Sequence, residues 1–290
     1  MRSKLFVPAS RPALFAKALN GAADAVSFDL EDAVAPDAKP EARSHLRALF
    51  EGLTHATPEA ARKTLIVRVN ALDTPYFAAD LEAVVWPGLH IVNLPMVESA
   101  ASVQAAADAI EAIERERGIV GRIGILANIE SARGLRLAAE IAAAHPRVMG
   151  LQIGYGDLFA PLGIASAEPS ATQFVRTAVR LAAGEAGIQA YDGAYVHIDD
   201  PEGYRRDSQA ARQLGFTGRS CIHPSQIGIA NEVFMPSEVE VRHAVRVVEA
   251  ADHHLGRGTG AFTVDGRLVD GPFIVQAERT VALAKRLGMI

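Results

Sequence analysis

Ile123-Gly-Ile-Leu-Ala-Asn-Ile-Glu130, the Ala- and Leu-rich run Gly134–His145, and Val148-Met-Gly-Leu-Gln-Ile-Gly-Tyr-Gly-Asp157 follow one another as strand, helix and strand. Each apolar strand run ends in a carboxylate. An ionised group at the tip of a buried strand costs desolvation unless it finds a partner. On neighbouring parallel strands, Glu130 and Asp157 would meet at one rim. A hard divalent cation such as Mg²⁺ is bound in that way, by one or two carboxylates plus water and substrate oxygens. Taken singly, each reads more readily as structural, a loop carboxylate or a helix cap, and Asp157 fits the cap well.

The same alternation runs outward in both directions. Strands are expected at Lys4–Val7, Ala25–Asp29, Thr64–Val69, His90–Leu94, Ile123–Ile129, Val148–Ile153, Gln189–Tyr191 and Thr217–Ile222. Helices are expected at Pro12–Gly21 and around Pro40–Glu51, Phe77–Val85, Ser99–Arg117, Gly134–His145, Ala171–Ala186, Pro201–Leu214, Ser237–Leu255 and Phe273–Leu287. The strand runs are apolar throughout, as in a parallel sheet covered on both sides. Eight strand–helix units predict an α/β fold closed as a (β/α)₈ barrel. The dinucleotide fingerprint G-x-G-x-x-G is absent after the first strand, which counts against an open doubly wound sheet. The barrel is assigned to residues 1–235. Residues 236–290 are read as C-terminal helices with a Gly-rich, hairpin-like appendage at Gly256–Asp270, completing the barrel and the oligomer.

Of the 290 residues, 49% are apolar and 22% charged, so a large core is expected and disorder is not. The net charge of −5, with no basic run, counts against a nucleic-acid partner. No stretch is long and apolar enough for a membrane span or a signal peptide. The single cysteine, Cys221, cannot form an intrachain disulfide and reads as a packed, inert thiol. A cytoplasmic location is the expectation.

Active sites of such barrels lie at the C-terminal ends of the strands. That rim would carry Arg11, the Asp29-Leu-Glu-Asp32 group, Arg68, Asn70, Glu98, Glu130, Asp157, Asp192 and His223. Arg68 stands inside the apolar run Leu65-Ile-Val-Arg-Val-Asn70, where a guanidinium needs a partner. It is either an interior ion pair with Asp29 or Glu31, or a fork for a substrate carboxylate. At least one of Asp29, Glu31 and Asp32 would support Arg68 or metal-bound water. His223 reads as a hydrogen-bonded structural histidine more readily than as a base. No Cys/His cluster supports zinc, and no G-x-S-x-G elbow supports a serine hydrolase.

On these residues the chain resembles the citrate lyase β-subunit and malyl-CoA lyase family. The likeness runs from Arg2 to the C-terminus. It is carried by Arg2-Ser-Lys-Leu-Phe-Val-Pro8, Asp24-Ala-Val-Ser-Phe-Asp-Leu-Glu-Asp-Ala-Val-Ala-Pro36, Val67-Arg-Val-Asn70, Leu94-Pro-Met-Val-Glu98, Ile129-Glu-Ser-Ala-Arg-Gly134, Asp192-Gly-Ala-Tyr-Val-His-Ile-Asp-Asp-Pro-Glu-Gly203, Gly215-Phe-Thr-Gly-Arg-Ser-Cys-Ile-His-Pro224 and Asp265-Gly-Arg-Leu-Val-Asp270. The resemblance implies a Mg²⁺-dependent lyase that cleaves or forms a carbon–carbon bond beside a thioester. Glu130 and Asp157 match metal carboxylates. Arg68 matches the arginine that holds the oxo acid. Asp270 matches an acid–base residue delivered to a neighbouring subunit's site. Arg11 and Lys17 are similar to basic positions near CoA or carrier phosphates. The family implies a trimer or a multiple of trimers. Its implied partners are a small oxo acid and an acyl-CoA or acyl-carrier-protein thioester. Three stretches depart from the common pattern: Tyr155-Gly156 where Ala-Glu is usual, Met96 where Lys is common, and Asn128 where an apolar residue is common. Tyr155, Gly156 and Met96 motivate the alternative of a non-catalytic acyl-CoA-binding barrel; a β-subunit acting on a carrier-protein thioester and an aldolase that needs no thioester are variants of the enzyme reading.

Overall fold

The computed structural model describes residues 1–53, 63–165, 168–255 and 260–290. It divides into two compact units, Met1–Phe234 and Met235–Ile290. Part of the expected appendage, residues 256–259, lies outside the described residues.

The first unit contains eight parallel strands: β1 Ser3–Pro8, β2 Ala25–Asp29, β3 Thr64–Arg68, β4 Ile91–Leu94, β5 Gly124–Ile129, β6 Val148–Ile153, β7 Gln189–Tyr191 and β8 Arg219–Cys221. Their order is β7-β6-β5-β4-β3-β2-β1-β8. A parallel bridge between Asp192 and Arg219 joins the two ends, with Asp192 N–H donating to Gly218 O (2.9 Å) and Ser220 N–H to Asp192 O (3.1 Å). The sheet is thereby the expected barrel, with a β7–β8 seam far shorter than the other pairings.

Alternate strand residues have different fates, because successive side chains point to opposite faces. Leu5, Val7, Val26, Phe28, Leu65, Val67, Val92, Ile125, Ala127, Leu151 and Ile153 belong to the large cluster shared with the helices. Ala25, Ile66, Ile91 and Leu126 form a separate small cluster on the opposite face. Following that face toward the strand C-termini brings the buried polar residues Ser27, Asn93, Asn128 and Gln152, joined by buried Lys4, in register with Ala25 of β2, and by buried Ser220. The barrel interior is an apolar plug below and a polar layer above.

The helices of this unit are α1 Phe15–Leu19, α2 Lys39–Leu53, α3 Phe77–Val84, α4 Ala100–Glu116, α5 Ala132–Arg136, α6 Ala138–Ala143, α7 Tyr155–Phe159, α8 Pro169–Glu185, α9 Pro201–Gln213 and α10 Ser225–Val233. Side chains start several of them. Ser99 caps α4 through Ser102 N–H, Ser131 caps α5 through Gly134 N–H, and Asp200 caps α9 through Gly203 N–H ahead of Pro201. The single helix expected over Gly134–His145 is two, because Leu137 leaves the helical region (φ −103°, ψ 13°). α7 and α10 fall where the sequence reading placed no helix.

The second unit packs α11 Glu238–Leu255 and α12 Gly271–Arg286 with the antiparallel hairpin β9 Phe262–Val264 and β10 Arg267–Val269. The expected hairpin turn at Asp265-Gly266 is present, both residues having positive φ (51° and 75°). Val247, Ala251, Phe262, Val269, Ile274 and Ala277 form its core. Among the described residues, no helix is long and apolar enough to cross a membrane.

Candidate active site

A cavity of about 1170 Å³ opens in the first unit, and Arg68, Glu130 and Asp157 all line it. Its walls include Phe6, Pro8, Asp29, Asp32, Asn128, Gln152, Gly154 and Tyr155, and it extends to Arg176, His197, Arg206 and Asp207.

Glu130 follows β5 and is 2% exposed. Its Oε1 accepts from Met96 N–H (2.6 Å) and its Oε2 from Asn128 Nδ2 (3.2 Å). Met96 adopts φ 49°, a left-handed conformation costly for a non-glycine residue. That strain aims its amide at the carboxylate, while its side chain is exposed. Gly154 fits against the other side of Glu130. A Cβ there would stand 2.2 Å from Oε2 and 2.6 Å from the glutamate Cβ, so the position tolerates no side chain. Burial pushes the Glu130 carboxyl up; the Met96 amide and Arg68 oppose this, and the negative charge of Asp157 adds to the rise. Asp157 itself is exposed in the first turn of α7.

Arg68 projects from the end of β3, its side chain 12% exposed. Nε donates to Asp29 Oδ1 (2.8 Å) and Nη2 to Asp29 Oδ2 (2.7 Å), a two-point clamp. Asp29 also accepts from Glu31 N–H and Ala33 N–H, each at 3.1 Å, so it holds both the guanidinium and its own loop. Nη1 lies 2.6 Å from Glu31 Oε2, a close approach without hydrogen-bond alignment, and donates to exposed Asp32 at 3.2 Å. Of the two readings for Arg68, the interior ion pair is present. The Nη1 edge is the part that Asp29 does not hold. Burial, with Asp32 and Asp29 nearby, pushes Glu31 up to about 8 despite Arg68. Arg68 also lies over the Phe6 ring (5.1 Å), which in turn faces Lys4 Nζ (4.2 Å).

Opposite these residues stands a network the sequence reading did not assemble. Arg176 Nη2 donates to Asp192 Oδ2 and Asp207 Oδ1, both at 2.8 Å. Arg219 Nη1 donates to Asp207 Oδ2 (3.0 Å), and Tyr155 OH donates to Asp192 Oδ1 (2.7 Å). Asp192 was visible as a strand-end acid, but Arg176 and Asp207 sit on α8 and α9, where a charged residue reads as a solvated face. The Tyr155 ring packs over Gly193 and 5.5 Å from Phe159. Next to it, Gly156 has open space at the Cβ position.

Asn70 donates to Asp80 (2.6 Å) and Leu30 O (3.0 Å) and is part of the scaffold. His223 is exposed and bonds Ser225 Oγ (2.8 Å) ahead of α10, outside the cavity wall. Cys221 is buried against Tyr204 OH (3.3 Å), and burial pushes its thiol up to about 11, consistent with an inert thiol. Arg11 and Lys17 are exposed and do not line the cavity. Asp270 belongs to the second unit, at the start of α12, where its Oδ1 has no hydrogen-bond partner among the described residues.

A buried carboxylate, an exposed carboxylate and a guanidinium on one cavity form a donor set of hard oxygens beside a fixed positive charge. Both Glu130 oxygens keep lone pairs beyond their single hydrogen bonds. Among the described residues no group of three or more His, Cys, Asp or Glu forms a cage. The two carboxylates Glu130 and Asp157 suit Mg²⁺, which is held by one or two protein carboxylates and completes its shell with water and substrate oxygens.

The sequence model of the HpcH/HpaI aldolase/citrate lyase family matches residues 2–224. The chain belongs to that family. The expected carbon–carbon lyase class and barrel fold are borne out by this membership. The Escherichia coli (strain K12) citrate lyase subunit β is 39% identical, the match covering 99% of this chain and 94% of that protein. The L-malyl-CoA/β-methylmalyl-CoA lyase of Cereibacter sphaeroides is 36% identical over 99% of this chain and 95% of its own. The solved structure of CitE from Mycobacterium tuberculosis, in complex with magnesium, acetoacetate and coenzyme A, superposes with a TM-score of 0.75 at 37% identity, covering 98% of this chain and 100% of that one. The lyase family thus encloses the chain over nearly its whole length.

Proposed function

We propose that this chain is a cytoplasmic, Mg²⁺-dependent lyase that cleaves or forms a 3-hydroxyacyl thioester of the malyl-, citramalyl- or citryl-CoA type. The products of cleavage are an oxo acid and an acyl thioester. The observation that supports this most is the convergence of Glu130, Asp157 and Arg68 on one cavity wall. Glu130 and Asp157 would hold the metal, which when bound supplies Lewis-acid polarisation of the substrate oxygens. Arg68, immobilised by Asp29, presents its Nη1 edge to the oxo-acid carboxylate in place of Asp32. A base removes the hydroxyl proton; this fixed charge stabilises the resulting alkoxide, whose electron pair becomes the oxo-acid carbonyl as the carbon–carbon bond breaks and the charge passes to the thioester enolate. Asp270 of a neighbouring subunit is assigned the proton at the thioester α-carbon, given in cleavage and removed in condensation. Arg11 and Lys17, exposed and without side-chain partners among the described residues, are assigned to the phosphates of CoA. The assembly is proposed to be a trimer or a multiple of trimers.

The test is Mg²⁺-dependent ketone release from a panel of malyl-, citramalyl- and citryl-CoA. Release with at least one of them, lost on chelation, supports the assignment. Absence of release from all of them, together with measurable CoA binding, would establish a binding barrel in its place. Copurification of a small acyl carrier would move the thioester from CoA to the carrier.

A further inference from the structure

Lys4, Asn93, Asn128 and Glu130 stand in one hydrogen-bonded line inside the barrel, none more than 2% exposed. Lys4 Nζ donates to Asn93 Oδ1 (2.9 Å), Asn93 Nδ2 to Asn128 Oδ1 (2.7 Å), and Asn128 Nδ2 to Glu130 Oε2 (3.2 Å). Lys4 lies on β1 and Asn93 on β4, with β2 and β3 between them in the sheet, so the lysine spans the lumen.

The line has one sense. A side-chain amide accepts at its oxygen and donates at its nitrogen. Asn93 Nδ2 also donates to the Leu126 carbonyl (3.0 Å), which only accepts. The Asn93 oxygen must therefore face Lys4, which supplies the donor. Asn128 then accepts from Asn93 and turns its NH₂ to the carboxylate. Reversing either amide sets acceptor against acceptor, at Leu126 O or at Glu130. Lys4 does not line the cavity. A buried amine is costly, and an apolar side chain would fill the same volume, so packing does not account for it.

We propose that Lys4 is a positioning residue for Glu130. Through Asn93 and Asn128 it fixes the orientation of a carboxylate that it never touches and directs the remaining Glu130 lone pairs toward the cation. This rests on the reading that Glu130 holds a divalent metal. Outer partners of metal ligands typically govern about 10–100-fold of metal affinity.

The experiment is a double-mutant cycle of Lys4→Met and Asn128→Leu in the full chain, read by Mn²⁺ binding in electron paramagnetic resonance titrations with thermal melts alongside. Each single variant should weaken Mn²⁺ binding by about tenfold. The double variant should bind no more weakly than Asn128→Leu alone, because Lys4 acts through Asn128. Unchanged affinity in Lys4→Met, or losses that multiply in the double variant, would overturn the relay. Asn93→Leu cuts the line at its centre and takes the place of Lys4→Met in the cycle if that variant does not fold. A wild-type chain that binds no Mn²⁺ would overturn the metal assignment of Glu130 itself, a result separate from normal wild-type binding with an indifferent Lys4.

Discussion

Glu130 is fixed from three directions: the Met96 amide, the Asn128 amide and the bare Cα of Gly154. Glu130→Ala or Asp157→Ala should lower turnover by about a thousandfold or more, the scale of several kcal/mol of transition-state stabilisation. Thermal melts should show both variants folded. Gly154→Ala inserts a methyl into the space of the carboxylate and should cost about a hundredfold in kcat without removing any functional group, as small misplacements do. Glu31 sets a pH dependence. Its pKa of about 8 keeps it neutral at lower pH. Above that value it ionises beside Arg68 and competes with the substrate carboxylate. KM for the hydroxyacyl substrate should therefore rise above about pH 8, and Glu31→Gln should remove the rise. The same shift weakens folding as pH increases from an ordinary carboxylate pKa to 8, because over that window the folded chain retains a proton that the unfolded chain has lost. Arg68, Glu130 and Asp157 were legible in the sequence because each interrupts or ends an apolar run. The role of Met96 was not. The sequence shows its side chain, whereas the site uses its backbone N–H, aimed by a positive φ that no residue type announces.

At the scale of elements, the weakest seam of the barrel carries its densest charge. β7 and β8 meet through the Asp192–Arg219 bridge, and Arg176 and Asp207 complete the ring of charges around it. Asp192 is fully buried between two guanidinium groups. Removing it leaves two buried guanidinium groups sharing Asp207 alone, and breaking a buried pair typically costs about 3–5 kcal/mol. Asp192→Ala should show that loss in urea unfolding, and ketone release should fall with it because Tyr155 and Arg176 line the cavity. The eight strands were readable because their outward positions are apolar and their spacing is regular. The closing network was not readable, since its four charges come from α8, β8, α9 and the residue after β7, distant in sequence. α7 and α10 escaped for a different reason. α7 is a five-residue turn beginning in Tyr155-Gly156, and α10 follows His223-Pro224 directly, so neither shows the long apolar period that marks a helix.

For the whole molecule, the proposed assembly places one acid–base group on a unit separate from the cavity. The hairpin of that unit was legible from Asp265-Gly266, whose left-handed conformations suit a tight turn. The reach of Asp270 has no signature of its own in a single chain. If it serves a neighbouring subunit, Asp270→Ala and Glu130→Ala chains are each inactive alone but complementary. Co-expressed and purified together, they should recover a measurable fraction of wild-type ketone release. The most direct test of the central claim is anomalous diffraction from crystals grown with Mn²⁺ and oxaloacetate. The account predicts one cation peak at inner-sphere distance from both Glu130 and Asp157, with the oxo-acid carboxylate on Arg68. A peak touching neither carboxylate, or an oxo acid bound away from Arg68, would contradict it.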